Sequence, residues 1–124
     1  MSENTQITNQ RDIDRVGLSE SSRYALDELE GEGYLKDKLS GYRLAISYAI
    51  KNNIDIEEHK VVRNTGHMYL ISQVDPDGIF ATVIDELYPQ FSQAKYRALE
   101  KFADLGIVEM KEEVLKTGSL IFWE

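Results

Sequence analysis

The stretch that decides the fold is residues 16–54, which read VGLSESSRYALDELEGEGYLKDKLSGYRLAISYAIKNNI. It opens with a short run suited to a strand and continues in two segments with helical spacing of apolar residues. A turn bounded by glycines separates the two segments. The stretch therefore predicts an extended lead-in followed by a pair of amphipathic helices, around which the remaining segments are interpreted.

Ser19 is predicted to start the first helix. A serine at this position can accept a hydrogen bond from an amide one turn into the helix, and Glu20 adds negative charge at the positive end of the helix dipole. Gly31 and Gly33 are predicted to end the helix, because glycine adopts the left-handed conformation of a helix stop. The apolar residues of this segment share one face: Ala25, Leu26 and Leu29.

The second helix is predicted to begin near Asp37 and to end at Asn52 and Asn53. Its apolar residues are spaced mostly three and four apart, which is typical of one buried stripe. They are Leu39, Tyr42, Ala45, Ile46, Ala49 and Ile50.

A short strand before two helices resembles the ribbon-helix-helix arrangement. The segment is also similar to the N-terminal part of small proteins associated with bacterial DNA sulfur-modification (phosphorothioation) systems. The resemblance covers roughly a third of the chain and is carried by Arg15-Val16, Leu18-Ser19, Leu26, Leu29 and the run Tyr42-Arg43-Leu44-Ala45. It implies a strand that pairs with its copy in a dimer and turns Arg15 towards the major groove of DNA. An N-terminal arm packed on the core is the alternative interpretation.

The composition indicates one folded domain. The chain has 124 residues, of which 42% are hydrophobic, so we expect a polar flexible tail at residues 1–10 and a single globular domain at residues 11–124. The absence of cysteine excludes disulfides, thiolate catalysis and cysteine-bound zinc, and it fits a cytoplasmic protein. No apolar run approaches the ~20 residues of a membrane helix, so no membrane association is expected.

The charge balance favours a protein partner over DNA. The formal net charge is −8, with 22 acidic residues against 14 basic ones, whereas a nucleic-acid binder usually has a basic excess. An acidic chain is well soluble, and the more specific interpretations are a partner with a basic surface or a mimic of DNA. If DNA is bound, the candidate contacts lie near the first two helices: Arg11, Arg15, Lys36, Lys38 and Arg43.

Two signals mark the middle of the chain. The run Asn64-Thr65-Gly66 separates two runs rich in β-formers and predicts either a hairpin turn or an irregular loop. Asp75 is predicted as an N-cap with Pro76 at the first helical position, and Pro89 ends this helix. Its broad apolar face indicates a core position or a subunit interface, and it comprises Ile79, Phe80, Val83, Ile84, Leu87 and Tyr88.

The last third allows two interpretations. Ser92 caps a helix that either continues through Gly106 to Thr117-Gly118, or gives way to a winged-helix wing over residues 107–123. The strong helix formers of residues 110–116 favour the continuous helix.

No catalytic motif is recognisable. His59 and His67 are predicted as exposed loop residues, since two histidines fall short of the three or four ligands of a zinc site. No serine lies in a nucleophile elbow, and residues 31–33 lack the lysine of a phosphate loop. The carboxylate pairs 57–58 and 112–113 are adjacent in sequence, so their side chains point apart. We therefore predict a chain that is not an enzyme and has no catalytic, cofactor-binding or metal-binding residue.

The sequence thus predicts a compact, mainly α domain of four or five helices with a minor β element. Two broad apolar helix faces in a small chain predict self-association, most simply as a dimer. The first functional hypothesis is a non-enzymatic accessory or protein-interaction protein of a bacterial or phage DNA-modification or defence system. The alternative is a small DNA-binding transcriptional regulator of ribbon-helix-helix or winged-helix type.

Overall fold

The computed structural model describes residues 12–63 and 68–120. Within these ranges the chain forms five α-helices, one 3₁₀ helix and a two-stranded antiparallel sheet, which confirms the predicted mainly α domain. The elements in chain order are β1 (Arg15–Val16), α1 (Glu20–Gly31), α2 (Lys38–Lys51), β2 (Tyr69–Leu70), α3 (Ile71–Val74), α4 (Ile79–Leu87), the 3₁₀ helix (Pro89–Ala94) and α5 (Lys95–Thr117). Across the described residues, no helix is both long and apolar enough to cross a membrane.

Helix α5 is the centre of the molecule. It is 23 residues long and packs mainly against α2, with α1, α4 and β1 against its other sides. The buried side chains that fill these contacts include Leu26 of α1, Tyr42 and Ile46 of α2, and Phe102 and Ile107 of α5. The three long amphipathic segments found in the sequence therefore form one shared core.

The predicted limits of α1 and α2 are confirmed. Asp37 is the N-cap of α2, and its carboxylate accepts a hydrogen bond from the Ser40 amide at 2.7 Å. This hydrogen bond lowers the pKa of Asp37 below its usual value, because it favours the ionised carboxyl group. Ser19 is the N-cap residue of α1, but its side chain makes no capping hydrogen bond. The predicted capping role of the Ser19 hydroxyl is wrong, because this hydroxyl donates to a carboxylate on α5 instead.

The turn before α4 differs from the prediction in register. Gly78, with φ of 70°, occupies the N-cap position, and Pro76 lies in the preceding turn rather than in the helix. Asp75 still caps the helix from a distance, since its two carboxylate oxygens accept from the amides of Phe80 at 2.9 Å and Ala81 at 3.0 Å. The residue was therefore identified correctly, and the position of the helix start was wrong.

Replacement of Asp75 by alanine is expected to lower the free energy of unfolding by about 1–2 kcal/mol, the range of a lost N-cap. Asp75 is buried, so the amides of Phe80 and Ala81 lose their acceptors with little access to water. Urea denaturation measures the effect. Asp77→Ala is the matched control, because Asp77 is exposed and belongs to the same turn. Equal stabilities of the two variants would argue against a capping role for Asp75.

Helix α5 also begins differently from the prediction. Ser92 lies within the 3₁₀ helix, and α5 starts three residues later at Lys95. The amides of Tyr96 and Arg97 donate to the carboxylate of Asp12 at 2.8 and 3.1 Å. The predicted capping by Ser92 is therefore wrong, and an aspartate from the other end of the chain caps the helix.

A single helix runs from Lys95 to Thr117, which confirms the continuous helix and excludes the wing over its first eleven residues, 107–117. The helix ends at Gly118, with φ of 76°, as predicted from Thr117-Gly118. Residues 121–123 of the alternative wing lie outside the described residues.

Gly106 allows α5 to approach α2 closely. A Cβ atom at this position would lie 2.2 Å from the carbonyl oxygen of Ala45. The glycine inside the helical pattern is therefore a contact point between two helices rather than a helix stop.

The two-stranded sheet joins a segment near the start of the chain to a segment near its middle. Arg15 pairs with Leu70 and Val16 with Tyr69, and an isolated bridge joins Ser19 to Arg63. Among the described residues, the two β-rich runs pair with residues 15–19, and no pairing between the runs themselves is present. The predicted hairpin turn, residues 64–66, lies outside the described residues. β1 thus pairs with β2 of the same chain. The pairing between two copies that the ribbon-helix-helix resemblance implies stays a prediction.

Candidate functional site

Two carboxylates are buried on one side of α5. Glu100 is 5% exposed and Asp104 is 2% exposed. They lie one helical turn apart and face two extended segments, residues 17–19 and 59–63. Buried carboxylates are rare unless they are paired, so their partners define the main polar cluster of the molecule.

Asp104 binds both segments at once. Its carboxylate accepts from the amide of Ser19 at 2.8 Å and from the hydroxyl of Ser19 at 2.7 Å. The Nε2 atom of His59 lies 2.7 Å from the carboxylate oxygen Oδ2 of Asp104. In addition, the hydroxyl of Ser22 donates to the backbone carbonyl of Asp104 at 2.8 Å. Both carboxylate oxygens of Asp104 thus have hydrogen-bond partners.

Glu100 makes the equivalent contacts one turn earlier. Its carboxylate accepts from the amide of Gly17 at 2.8 Å and from Nε of Arg63 at 2.7 Å. The hydroxyl of Tyr42 donates to the carbonyl of Gly17 at 3.0 Å. Burial, together with the nearby charges of Glu100 and Asp104, raises the pKa of Tyr42 well above its usual value. Tyr42 therefore stays protonated and keeps its hydrogen bond at neutral pH.

The cluster contains the three residue types of a hydrolase triad: Ser19, His59 and Asp104. Their hydrogen bonds, however, connect them in a different order. In a triad the histidine lies between the serine and the aspartate, so that it can take the serine proton. Here Ser19 and His59 both bind the same oxygen of Asp104. The cluster therefore fastens two segments to α5 rather than activating a nucleophile. Among the described residues, no group of three or more histidine, aspartate and glutamate side chains is placed to hold a metal ion.

This cluster was not predicted from the sequence. His59 was predicted as an exposed loop residue, and this is wrong, because its side chain is only 25% exposed and binds Asp104. Ser19 and Asp104 are 85 residues apart, so no local pattern links them. The available signal was the spacing of Glu100 and Asp104, which places two acids next to the apolar stripe of α5.

Lys38, one of the basic residues considered for DNA binding, is held by carboxylates. Its ammonium group lies 2.7 Å from Glu30 and 3.8 Å from Asp27. The hydrogen bond to Glu30 raises the pKa of Lys38. This lysine therefore connects α1 to α2.

The other candidates are dispersed. Arg15 lies on β1, Lys36 lies in the turn before α2, and Arg43 lies on α2; all three are exposed. Lys38 and Arg43 are five residues apart, which places them about 140° apart around the helix axis. Arg11 lies outside the described residues. A DNA-binding role for these five residues stays a prediction.

Helix α4 presents an uncovered apolar surface. Of its nine residues, only Ile84 is fully buried. Ile79 is 62% exposed and Leu87 is 61% exposed, and Val83 lies halfway between them in the sequence. Residues four apart lie on one side of a helix. We call this row of three residues, Ile79, Val83 and Leu87, the α4 stripe.

The opposite side of α4 belongs to the core. Tyr88 follows the helix and packs against Phe102 at a ring-centroid distance of 5.1 Å, and its hydroxyl donates to Asn53 at 2.9 Å. Phe80 is half-buried and, with Arg43 and Leu44 of α2, lines a shallow groove of about 250 Å³. The face predicted to lie in the core or in a subunit interface is therefore divided. In the described part of the chain, the α4 stripe is its exposed part, with Val83 half-buried between two exposed residues.

Acidic residues border the α4 stripe. Glu86 lies between Val83 and Leu87 in the sequence, on the side of the helix next to Ile79, and Asp77 lies in the preceding turn; both acids are exposed. Asp85, on the far side, is bound by Lys95 at 3.1 Å. The α4 stripe is thus a row of aliphatic side chains with negatively charged side chains beside it.

No protein-family model, curated protein or solved structure matches this chain. Its function is therefore inferred from the surfaces that its own residues form. The resemblance to proteins of DNA sulfur-modification systems stays a prediction.

Proposed function

We propose that this chain is a non-enzymatic accessory protein that binds a partner protein through the α4 stripe. The observation that carries the proposal is the exposure of Ile79 and Leu87 on one side of a helix whose other side is buried. Aliphatic side chains spaced four apart on an exposed helix are typical anchors of helix-mediated protein recognition. The loss of water contact by these side chains supplies the affinity.

The charge around the α4 stripe specifies the partner. Glu86 and Asp77 place negative charge beside the aliphatic residues, and the whole chain carries a formal charge of −8. Complementary charge speeds association and discriminates against wrong partners. The partner is therefore a protein that presents an apolar segment flanked by lysine or arginine. The sequence resemblance suggests a DNA-modification or defence system as the setting in which to look for it.

The DNA-regulator hypothesis has less support. The winged-helix form of the hypothesis requires a wing over residues 107–123, where α5 instead continues to Thr117. The ribbon-helix-helix form requires β1 to pair between two copies, whereas the pairing observed is with β2 of the same chain. Lys38 and Arg63 are bound to carboxylates. The acidic total charge also counts against phosphate binding over a broad surface.

The double replacement Ile79→Ser with Leu87→Ser is expected to weaken partner binding at least about tenfold, since buried aliphatic anchors dominate interface energies. The probe is a fluorescently labelled helical peptide of leucine and lysine with one apolar face. Its affinity is measured by fluorescence anisotropy. A peptide in which glutamate replaces lysine is expected to bind more weakly, because the border of the stripe is acidic.

Leu115→Ser is the matched control, because Leu115 is 73% exposed on α5 and lies outside the α4 stripe. Equal binding by the stripe variant and the control variant would contradict the proposal. Sedimentation velocity tests the alternative, in which a second copy of this chain binds the α4 stripe. A dimer that dissociates in the stripe variant would assign the stripe to the homo-oligomer that the sequence predicts, rather than to a partner protein.

A further inference from the structure

A pocket of about 320 Å³ lies where α4 passes into the 3₁₀ helix. It is lined by residues 53–57, which follow α2, and by the aromatic side chains of Tyr88, Phe91 and Phe102. We call it the aromatic pocket. Its volume lies near the lower end of the range for small-molecule sites, so it suits a small ligand or a single head group.

The rings of the aromatic pocket are held in place by one another. The centroid of the Tyr88 ring lies 5.1 Å from that of Phe102 and 6.1 Å from that of Phe91. Phe102 is fully buried and supports Tyr88, whereas Tyr88 and Phe91 are only half-buried. The hydroxyl of Tyr88 donates to Oδ1 of Asn53 at 2.9 Å, which ties together two of the segments that line the pocket. Two fixed rings are therefore partly open to a ligand, which lowers the cost of ordering them on binding.

The charge of the aromatic pocket is negative. Asp55 and Glu57 both belong to its lining, and both are exposed. The carboxylate of Asp55 accepts from the backbone amide of Glu57 at 2.9 Å, and an amide carries no net charge. Among the described residues, no lysine, arginine or histidine lines this pocket. A ligand in the pocket therefore meets two carboxylates and no basic side chain.

The combination of rings and carboxylates specifies the charge of the ligand. The face of an aromatic ring attracts a cation that lies within about 6 Å of its centroid. Carboxylates attract the same cation and repel an anion. An alkylammonium ion satisfies both kinds of group, because its methyl or methylene groups contact the rings while its charge lies near the acids. Quaternary ammonium groups are the ligands that aromatic sites recognise most characteristically.

We propose that the aromatic pocket binds an alkylammonium group, which contacts the rings of Tyr88 and Phe91 and lies beside the carboxylates of Asp55 and Glu57. The group belongs either to a small free molecule or to a methylated lysine of another protein, and its chemistry is the same in both. None of the lining residues belongs to the α4 stripe, so this site goes beyond the proposed function.

Choline is the probe, titrated into the full chain at low salt while the amide chemical shifts of Asn53, Glu57 and Phe91 are followed by NMR. We expect saturable shifts with a dissociation constant below about 10 mM. The matched ligand is the uncharged carbon analogue of choline, in which a tert-butyl group replaces the trimethylammonium group. It has the same shape, so its binding is expected to be at least about fivefold weaker only if the charge is recognised.

The double variant Asp55→Asn with Glu57→Gln tests the carboxylates. It keeps the size of both exposed side chains and is expected to weaken choline binding at least about fivefold, with the carbon analogue unaffected. Glu58→Gln with Glu112→Gln is the matched control, because it removes the same charge from exposed positions outside the pocket.

Phe91→Leu tests the ring, because leucine keeps an apolar side chain without a π-face. We expect this variant to weaken choline binding more than binding of the carbon analogue. A merely structural role of Phe91 would weaken both ligands to the same extent.

A glycine-rich peptide with a single trimethyllysine distinguishes the two sources of the alkylammonium group. Peptide binding that choline displaces would assign the aromatic pocket to a modified lysine, and choline binding without peptide binding would assign it to a small molecule. The proposal is overturned if choline shifts none of these amides, if the carbon analogue binds as tightly as choline, or if the Asp55 and Glu57 variant binds choline as tightly as its control. The variant of Ile79 and Leu87 is expected to bind choline normally, so this result is independent of the α4 stripe.

Discussion

The replacement Gly106→Ala is expected to destabilise the fold by about 2–3 kcal/mol, the upper part of the range for overpacking a well-packed interior. The added Cβ would lie 2.2 Å from the carbonyl oxygen of Ala45 and 2.9 Å from its carbonyl carbon. Both atoms belong to the backbone of α2, which cannot rotate away as a side chain can. The roughly 1 kcal/mol gained from the better helix propensity of alanine offsets only part of the clash. Thermal denaturation should show a fall in Tm of roughly 10 °C.

Gly31→Ala is the matched control for this prediction. Gly31 is the last residue of α1, and a Cβ atom there would have no neighbour within 4 Å. We expect this variant to be as stable as the wild type or slightly more stable. If Gly106→Ala and Gly31→Ala have the same Tm, the close approach of α2 to α5 at Gly106 is contradicted.

The replacement Asp104→Ala is expected to cost about 3 kcal/mol or more, because removing one member of a buried charged network leaves the others unpaired. The amide and hydroxyl of Ser19 and the imidazole of His59 would lose their common acceptor. Asp104→Asn is expected to cost less, since its amide oxygen still accepts from one donor. Urea denaturation measures the cost, and hydrogen exchange at the Ser19 amide reports the release of the N-terminal segment.

Glu112→Ala, an exposed glutamate on the same helix, is the control for the Asp104 variants. It is expected to change stability by less than about 0.5 kcal/mol, as is usual for surface substitutions. If Asp104→Ala matches this control and leaves the exchange of the Ser19 amide unchanged, the buried cluster does not hold residues 17–19 on α5.

Helices α1 and α2 could be predicted to within one or two residues because their signals are local. The side chain of Asp37 caps the helix that begins directly after it, and Asn52 directly follows the last turn of α2. The apolar stripes that these segments show in the sequence are the buried faces in the structure. For such segments the tertiary structure only reinforces what the residues already favour.

The starts of α4 and α5 were predicted less well because several residues compete for the same role. Asp75 and Ser92 are both good N-cap residues. Asp75 instead bonds to amides five and six residues later, and α5 takes its cap from Asp12, 84 residues before Tyr96. A cap supplied from a distant segment leaves no pattern near the helix that it stabilises.

The buried cluster of Glu100 and Asp104 could not be predicted for a similar reason. Charged residues on a helix are usually solvated, and the groups that bind these two come from residues 17–19 and 59–63. The apolar face of α4 was visible in the sequence, but the choice of which side stays exposed follows from how Tyr88 and Ile84 pack in the core.

The measurement that tests the proposed function most directly is amide chemical-shift mapping by NMR during titration with the leucine–lysine peptide. We expect the largest shifts at Ile79, Val83 and Leu87, with little change at Arg97 and Lys101 on α5. Shifts concentrated elsewhere on the molecule, with the amides of α4 unchanged at saturation, would contradict the assignment of the α4 stripe as the partner-binding surface.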